Sequence, residues 1–428
     1  MKRRDLKYRY ATLLPISVLV ALPLMGDALL YAVLPARPES FMVTVWQVGI
    51  LLSANRFVRL ITNEIAGRVR HASVDTVQAN RHITVAAVIG ALVTAGYVVP
   101  WGFAWLLALR IAWGACWSVL RIGGYMTAIE SSFDHNRGRV IAGYQAIVRC
   151  GQGGGVFLGG LLVDTVGLRT AFVVFAVVGI AGAAAATLRL QAAHREISAA
   201  SEPATEGPEP PSQSNAALRS DPAGAAGTLG DSDAPADSPA LRHVALLWAL
   251  VLTSTMGTEM IANLTGAIAA FDIVADSGFA VGAATLTGIL LGARYFSTLA
   301  IGPLFGYLSD RFGRTRIVAL ALTATIAFAA AIAAGPAARP LAAALLLALV
   351  LGAGVRVTVL ALVSDHVANV SGSIGMSRIS TVSDLAAALS PVVGFFVYAR
   401  GGVAAAAITS IVLLFAGLAC LWFRPESD

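Results

Sequence analysis

Asp27, Glu259 and Asp384, and against them Arg56, Arg110, Arg149, Arg294 and Arg356, fall inside long apolar runs of this chain. An ionisable side chain at such a depth costs at least ~2.5–3.5 kcal/mol on membrane-insertion scales. Residues kept there face a cavity or one another. Asp27 lies part-way into the first run and Arg110 part-way into the fourth. The two runs point in opposite directions, so both residues reach a similar depth and can pair or share a cavity. Glu259, in the seventh run, lies near the depth of Asp27. Either carboxylate can take up and release a proton as its surroundings alternate between wet and dry. The alternative is a structural ion pair. The arginines outnumber the acids. If most of them face one cavity, its field is positive and suits an anionic or carboxylate-bearing ligand. They could equally pair with helix ends, reach for the interface or brace the helices. Tyr31, Trp46, Trp105 and Tyr295 could line a pocket, although Trp at helix ends more often anchors the interface. Arg59 and Arg121 lie nearer one surface and read as structural.

The elements that hold these charges are membrane helices. The chain has 428 residues, 57% hydrophobic and 13% charged, with a mean hydropathy of +0.76. Its apolar runs are too long and too many for soluble cores. Twelve spans are expected, at roughly 11–35, 42–66, 83–99, 103–128, 140–163 and 170–190, then 243–270, 281–305, 315–334, 341–363, 379–398 and 402–422. Lys2, Arg3, Arg4, Lys7 and Arg9 place the start of the chain in the cytoplasm. Arg68, Arg70, His71 and Arg81, then Arg137 and Arg139 beside Asp134, mark inner loops. So do Asp365, His366 and Arg378. Pro100-Trp101-Gly102, Asp164 with Arg169, Asp272 with Asp276, and Pro336 with Arg339 and Pro340 mark outer ones. Arg424 then puts the other terminus inside as well. Residues 191–241 are rich in Ser, Pro, Ala, Glu and Asp and read as a disordered cytoplasmic linker, with a regulatory segment as the alternative. The linker divides the chain into halves, 1–190 and 242–428. A balance of +6 reflects basic loops, and there is no soluble basic domain for nucleic acid. Cys116, Cys150 and Cys420 sit in apolar runs without metal-site spacing.

The halves are related. Gly49-Ile-Leu-Leu-Ser-Ala recurs as Gly288-Ile-Leu-Leu-Gly-Ala, 239 positions on. Continued without a gap, that offset lays Gly67 over Gly306. Between the eighth and ninth spans runs Gly302-Pro-Leu-Phe-Gly306-Tyr-Leu-Ser-Asp310-Arg311-Phe-Gly313-Arg314-Thr-Arg316. Gly306 is expected to let helices approach, and Gly313 to take a backbone conformation that other residues resist. Asp310 is expected to pair with the nearby arginines or to cap the next helix. In the first half His71 and Val74 stand where Asp310 and Gly313 stand in the second.

The G-x-x-x-D-R-x-G-R-x-R pattern between two spans resembles the inter-helix signature of the major facilitator superfamily of secondary transporters. The resemblance implies two six-helix halves that rock around a mid-membrane site. Arg110-Ile-Ala-Trp113-Gly114 resembles the R-x-x-Q-G pattern of the family's fourth helix, which implies a role for Arg110 in proton coupling. Gly151, Gly155, Gly159 and Gly160 match part of the fifth-helix signature of the drug–proton antiporters, with Val156 where that signature has proline. The expectation is an inner-membrane, proton-driven exporter, monomeric and without cofactor or metal. Its partners are a small molecule, protons and lipid. The arginine excess suggests an anionic or chelating metabolite, such as a carboxylate-type siderophore, as cargo. An importer of organic anions and a non-transporting sensor or assembly protein are the rivals. No metal-binding helix and no Ser-His-Asp set supports an enzyme.

Overall fold

The computed structural model describes residues 3–73, 76–133, 136–201, 239–275, 281–335 and 337–423. Most of the expected linker lies outside the described residues. So do Lys2, Val74, Asp134, Asp276, Pro336, Arg424 and the side chains of Arg3, Arg4, Lys7, Arg9, His366 and Arg378.

The described chain is helical throughout. The helices are α1 (Arg3–Val33), α2 (Val45–Ala72), α3 (Thr76–Gly96), α4 (Gly102–Glu130), α5 (Arg137–Val166) and α6 (Leu168–Ser201). After the undescribed stretch come α7 (Pro239–Ala267), α8 (Ala283–Phe312), α9 (Arg314–Ala333) and α10 (Ala338–Trp422). A π-helical turn, Ile268–Val274, extends α7. Helices suit an apolar medium because each one satisfies its own backbone donors and acceptors. Pro15 and Pro23 lie inside α1 and Pro303 inside α8, where the carbonyl each one frees can be met by neighbouring helices or hydroxyl side chains.

Among the described residues, nine stretches are long and apolar enough to cross a membrane. Two expected spans fall short of that standard although both are helical. The α2 helix carries Arg56, Arg59 and Glu64, and α3 opens on Asn80, Arg81 and His82. The last three expected spans lie within α10, which runs from Ala338 to Trp422 with a break at Gly402. It folds back on itself. Gly352, Gly394 and Leu414 pack respectively against Thr258, Met260 and Gly257, all within one turn of α7. An unbent helix cannot bring such distant residues to one turn. One bend is at Gly402, where φ is +65°. The apolar legs are Ala338–Asp365 and Thr381–Trp422. The helix expected to end near residue 190 runs on to Ser201. Its sequence there, Gln-Ala-Ala-His-Arg-Glu, is rich in good helix formers, so it extends past the apolar run.

Helices α1 and α7 sit centrally. Ile16, Leu19, Val20, Leu29 and Leu30 of α1 are fully buried. Helices α1–α6 meet α7–α10 along two main seams, α5 against α8 and α2 against α10, and α1 touches α7. Glycine makes these contacts possible. The stripe Gly151, Gly155 and Gly159 of α5 lies on Ala21, Met25 and Leu29 of α1, and a Cβ at Gly155 would sit 2.5 Å from the Met25 carbonyl. On another face of α5, Gly153 meets Phe296, and Gly160 lies against the Ala284 carbonyl of α8. Gly288 answers from α8, with Val156 O 2.5 Å from where its Cβ would be. Gly49, its repeat partner on α2, packs the same way on Pro391 O of α10, at 2.6 Å. The 239-residue repeat is thus repeated in the packing of the two seams.

Candidate functional site

Among the described residues, three ion-pair centres lie within the bundle. In the first, Arg110 of α4 is bonded to Asp27 of α1, with Arg110 fully buried and Asp27 5% exposed. Around the pair, Arg110 Nε donates to Leu51 O at 3.1 Å and one terminal nitrogen to the Tyr31 hydroxyl at 3.0 Å. The other terminal nitrogen reaches Tyr97 at 3.5 Å. A buried guanidinium needs such a shell, since its donors have no water to turn to.

The second centre is Glu259 of α7, 4% exposed. Three arginines converge on its carboxylate. Arg294 of α8 and Arg356 of α10 both reach Oε1, Arg356 at 3.3 Å, and Arg56 of α2 reaches Oε2 at 3.3 Å. Arg56 also donates to Ala387 O of α10 at 2.5 Å. Asn263, one turn along α7, donates to the Glu259 carbonyl at 2.7 Å. One carboxylate therefore ties α2 to α7, α8 and α10. Arg149 of α5 lies within electrostatic reach of Arg356, Arg294 and Glu259. Its described hydrogen bond goes to the neutral Gln152, at 3.2 Å. The local balance is positive, with four guanidinium groups around one carboxylate.

The third centre is Asp384 of α10, held by Arg59 of α2 at 3.0 Å and Arg121 of α4 at 3.6 Å. The sequence reads these two arginines as structural, and in the structure they join α2 and α4 to α10. A fourth contact, not foreseen, closes the end of the bundle where α5 meets α8. Asp164 at the end of α5 takes an ion pair from Arg37 at 2.5 Å and accepts the Thr285 backbone N–H at 2.7 Å. Thr285 lies in the first turn of α8, where unpaired N–H groups favour an anion. Asp164 thus caps a helix to which it does not belong. The sequence sets Asp164 in a short outer turn with Arg169, but the N–H it accepts lies 121 residues away.

The remaining expected residues sit as follows. Gly313 has a φ of +92° at the α8–α9 turn, a conformation that favours glycine. Arg314 bridges Asp310 at 3.4 Å and Asp365 at 2.7 Å, pinning the turn to the first leg of α10. Arg311 donates to Tyr307 at 3.0 Å. Gly306 was expected to permit close helix approach. Instead, a side chain at Gly306 or at Gly67 would meet nothing within 4 Å, because both glycines face open space at this end. Tyr31 lies between the first two centres, its ring centroid 5.1 Å from the Arg110 guanidinium and 6.0 Å from that of Arg56. A cavity of about 360 Å³ is lined by Leu13, Asn136, Arg139 and Tyr144, at the edge of α1 and α5 and away from all three centres. Among the described residues no cluster of His, Cys, Asp and Glu could hold a metal.

The comparisons agree with this architecture. No curated protein matches the chain. Two crystal structures of a bacterial homolog to the human lysosomal transporter Spinster do, both inward-facing. The occupied form is 14% identical, with a TM-score of 0.71, over 97% of each chain. The unoccupied form is 15% identical, with a TM-score of 0.64, over 97% of this chain and 95% of the other. At such identity the likeness carries the fold. The family model described as Major Facilitator Superfamily matches residues 16–293, well over half the chain. A multi-pass helical bundle with charged residues bonded at its centre, matched by that model over such a length, belongs to the major facilitator superfamily of secondary transporters.

Proposed function

We propose that this carrier moves a small organic anion together with a proton, by rocking helices α1–α6 against α7–α10 around the Glu259 centre. The observation that carries the reading is the convergence of Arg56, Arg294 and Arg356 on one carboxylate, with Arg149 alongside. Glu259 fills the place that the acid group of a substrate would take. While ionised it competes with an incoming anion for the same guanidinium groups. Protonated, it releases them. Proton and anion then favour each other's binding, and by linkage the coupling is reciprocal. Acid on one side of the membrane drives the anion away from that side, so an inward proton gradient drives uptake.

A second reading is export by proton exchange in the manner of the drug–proton antiporters, with a chelating metabolite such as a siderophore as cargo. It is favoured by the Gly151, Gly155, Gly159 and Gly160 stripe, which packs α5 on both α1 and α8. Exchange needs the opposite linkage, a cargo that leaves when the carboxylate is protonated. The assignment to an inner membrane with both termini in the cytoplasm rests on the basic loops of the sequence.

Inverted vesicles separate the two. Labelled anionic, neutral and cationic compounds are offered with the interior made acid, then with the exterior made acid, and each gradient is then collapsed. Anion accumulation driven by an acid exterior supports cotransport. Accumulation driven by an acid interior establishes exchange. Accumulation of cations alone overturns the anion reading.

A further inference from the structure

We propose that Tyr31 is a positioning residue that makes the protonation state of Asp27 felt at Glu259. The proposal rests on the reading of Glu259 as the proton-binding carboxylate, and it adds a second carboxylate and the link between them. Asp27 and Glu259 lie on α1 and α7, and among the described residues no arginine is ion-paired with both. Tyr31 lies one helical turn beyond Asp27 on α1. Its hydroxyl accepts from Arg110 at 3.0 Å and donates to Asn55 Oδ1 on α2 at 3.4 Å. Arg56 is the next residue on α2, and it bonds Glu259. The phenol ring meanwhile has the Arg110 and Arg56 guanidinium groups at 5.1 and 6.0 Å, a distance at which a ring attracts cations.

The α2 backbone at this point lies close against α4. A Cβ on Gly114 would lie 2.8 Å from Asn55 O, so the two helices touch main chain to main chain. A change in how Arg110 divides its donors between Asp27 and Tyr31 is therefore passed to the Asn55–Arg56 step. When Asp27 is ionised, Arg110 is held on α1. When Asp27 takes a proton, Arg110 turns more of its charge to the Tyr31 hydroxyl and ring. The phenol then offers Arg56 less, and Arg56 moves its weight to Glu259 and Ala387 O. Other groups also face the two carboxylates. Tyr97, at the end of α3, lies beside Asp27 through its contact with Arg110. Arg294 and Tyr295 on α8, Arg356 on α10 and Arg149 on α5 surround Glu259. None of these residues bonds both centres.

The test is a titration of each carboxyl by infrared difference spectroscopy on the full-length protein in lipid nanodiscs. Glu259 is followed in the wild type and in D27N, and the shift of its midpoint between the two measures the coupling. The same pair is then compared in the Y31F background, which keeps the ring and removes only the hydroxyl. The expected result is a shift in the Tyr31 proteins that is largely lost in the Y31F proteins. An equal shift in both backgrounds, or none in either, overturns the proposal. Proton-independent transport by the wild type would instead overturn the cotransport reading, and would leave a Tyr31-dependent shift standing as a static link between the centres.

Discussion

Asp27 and Arg110 form a buried pair, and such pairs are most costly when half is removed. Breaking a buried ion pair by deleting one partner costs about 3–5 kcal/mol, whereas replacing both can be near neutral. R110Q is therefore expected to lower the thermal unfolding midpoint of the solubilised protein strongly, and D27N/R110Q to recover most of the loss. Equal destabilisation by the single and double variants would mean that Arg110 matters through Leu51 and the tyrosines rather than through Asp27. The sequence was informative about height but silent about direction. Counting residues along α1 and α4 is enough to set Asp27 and Arg110 at one depth. The clamp on Glu259 depends on how α2, α8 and α10 are turned about their own axes, and no repeat of hydrophobicity reports that for helices that are apolar nearly all round. Arg59 and Arg121 illustrate the same gap: their depth marked them as structural, but only their rotation names the partner, Asp384.

At the scale of elements, glycine decides which helices can touch. Gly160 lies against the Ala284 carbonyl, while Gly306 meets nothing. Overpacking a tight contact costs typically about 1–3 kcal/mol. G160V should cost that much in unfolding experiments and should push α5 from α8. G306A should change stability by less than about 1 kcal/mol, since alanine gains helix propensity there without a clash. The reverse order of effects would mean that the seams are placed wrongly. The glycine run of α5 was visible in the sequence, but its division between α1 and α8 was not. The spans were legible because apolar runs of this length admit few other fates. The bend at Gly402 falls where the last two expected spans were divided, whereas α2 falls short of a membrane span by composition, and its mid-helix Arg56 and Arg59 are taken up by Glu259 and Asp384.

For the whole molecule, the described contacts hold the two groups of helices together from Asp164–Thr285 down to Asp384–Arg59. Beyond that, toward the α8–α9 turn, Gly67, Gly143, Gly302 and Gly306 face open space. Among the described residues, the contacts between the two groups of helices thus close the Asp164 end. Asp164 is the cross-brace of the closed end. D164A should expose a cysteine placed at Ala284, now fully buried, to thiol reagents added from that side. Labelling that stays blocked in D164A would leave the glycine contacts alone as the closing element. The claim on which the rest depends is that Glu259 competes with the cargo for three arginines. The most direct measurement is the affinity of the purified carrier for a transported anion as a function of pH, in the wild type and in E259Q. The account predicts that the wild type binds the anion more tightly as pH falls, because protonation frees Arg56, Arg294 and Arg356. It predicts that E259Q binds tightly at every pH and loses most of that dependence. Weaker anion binding by E259Q, or an unchanged pH dependence, would contradict it.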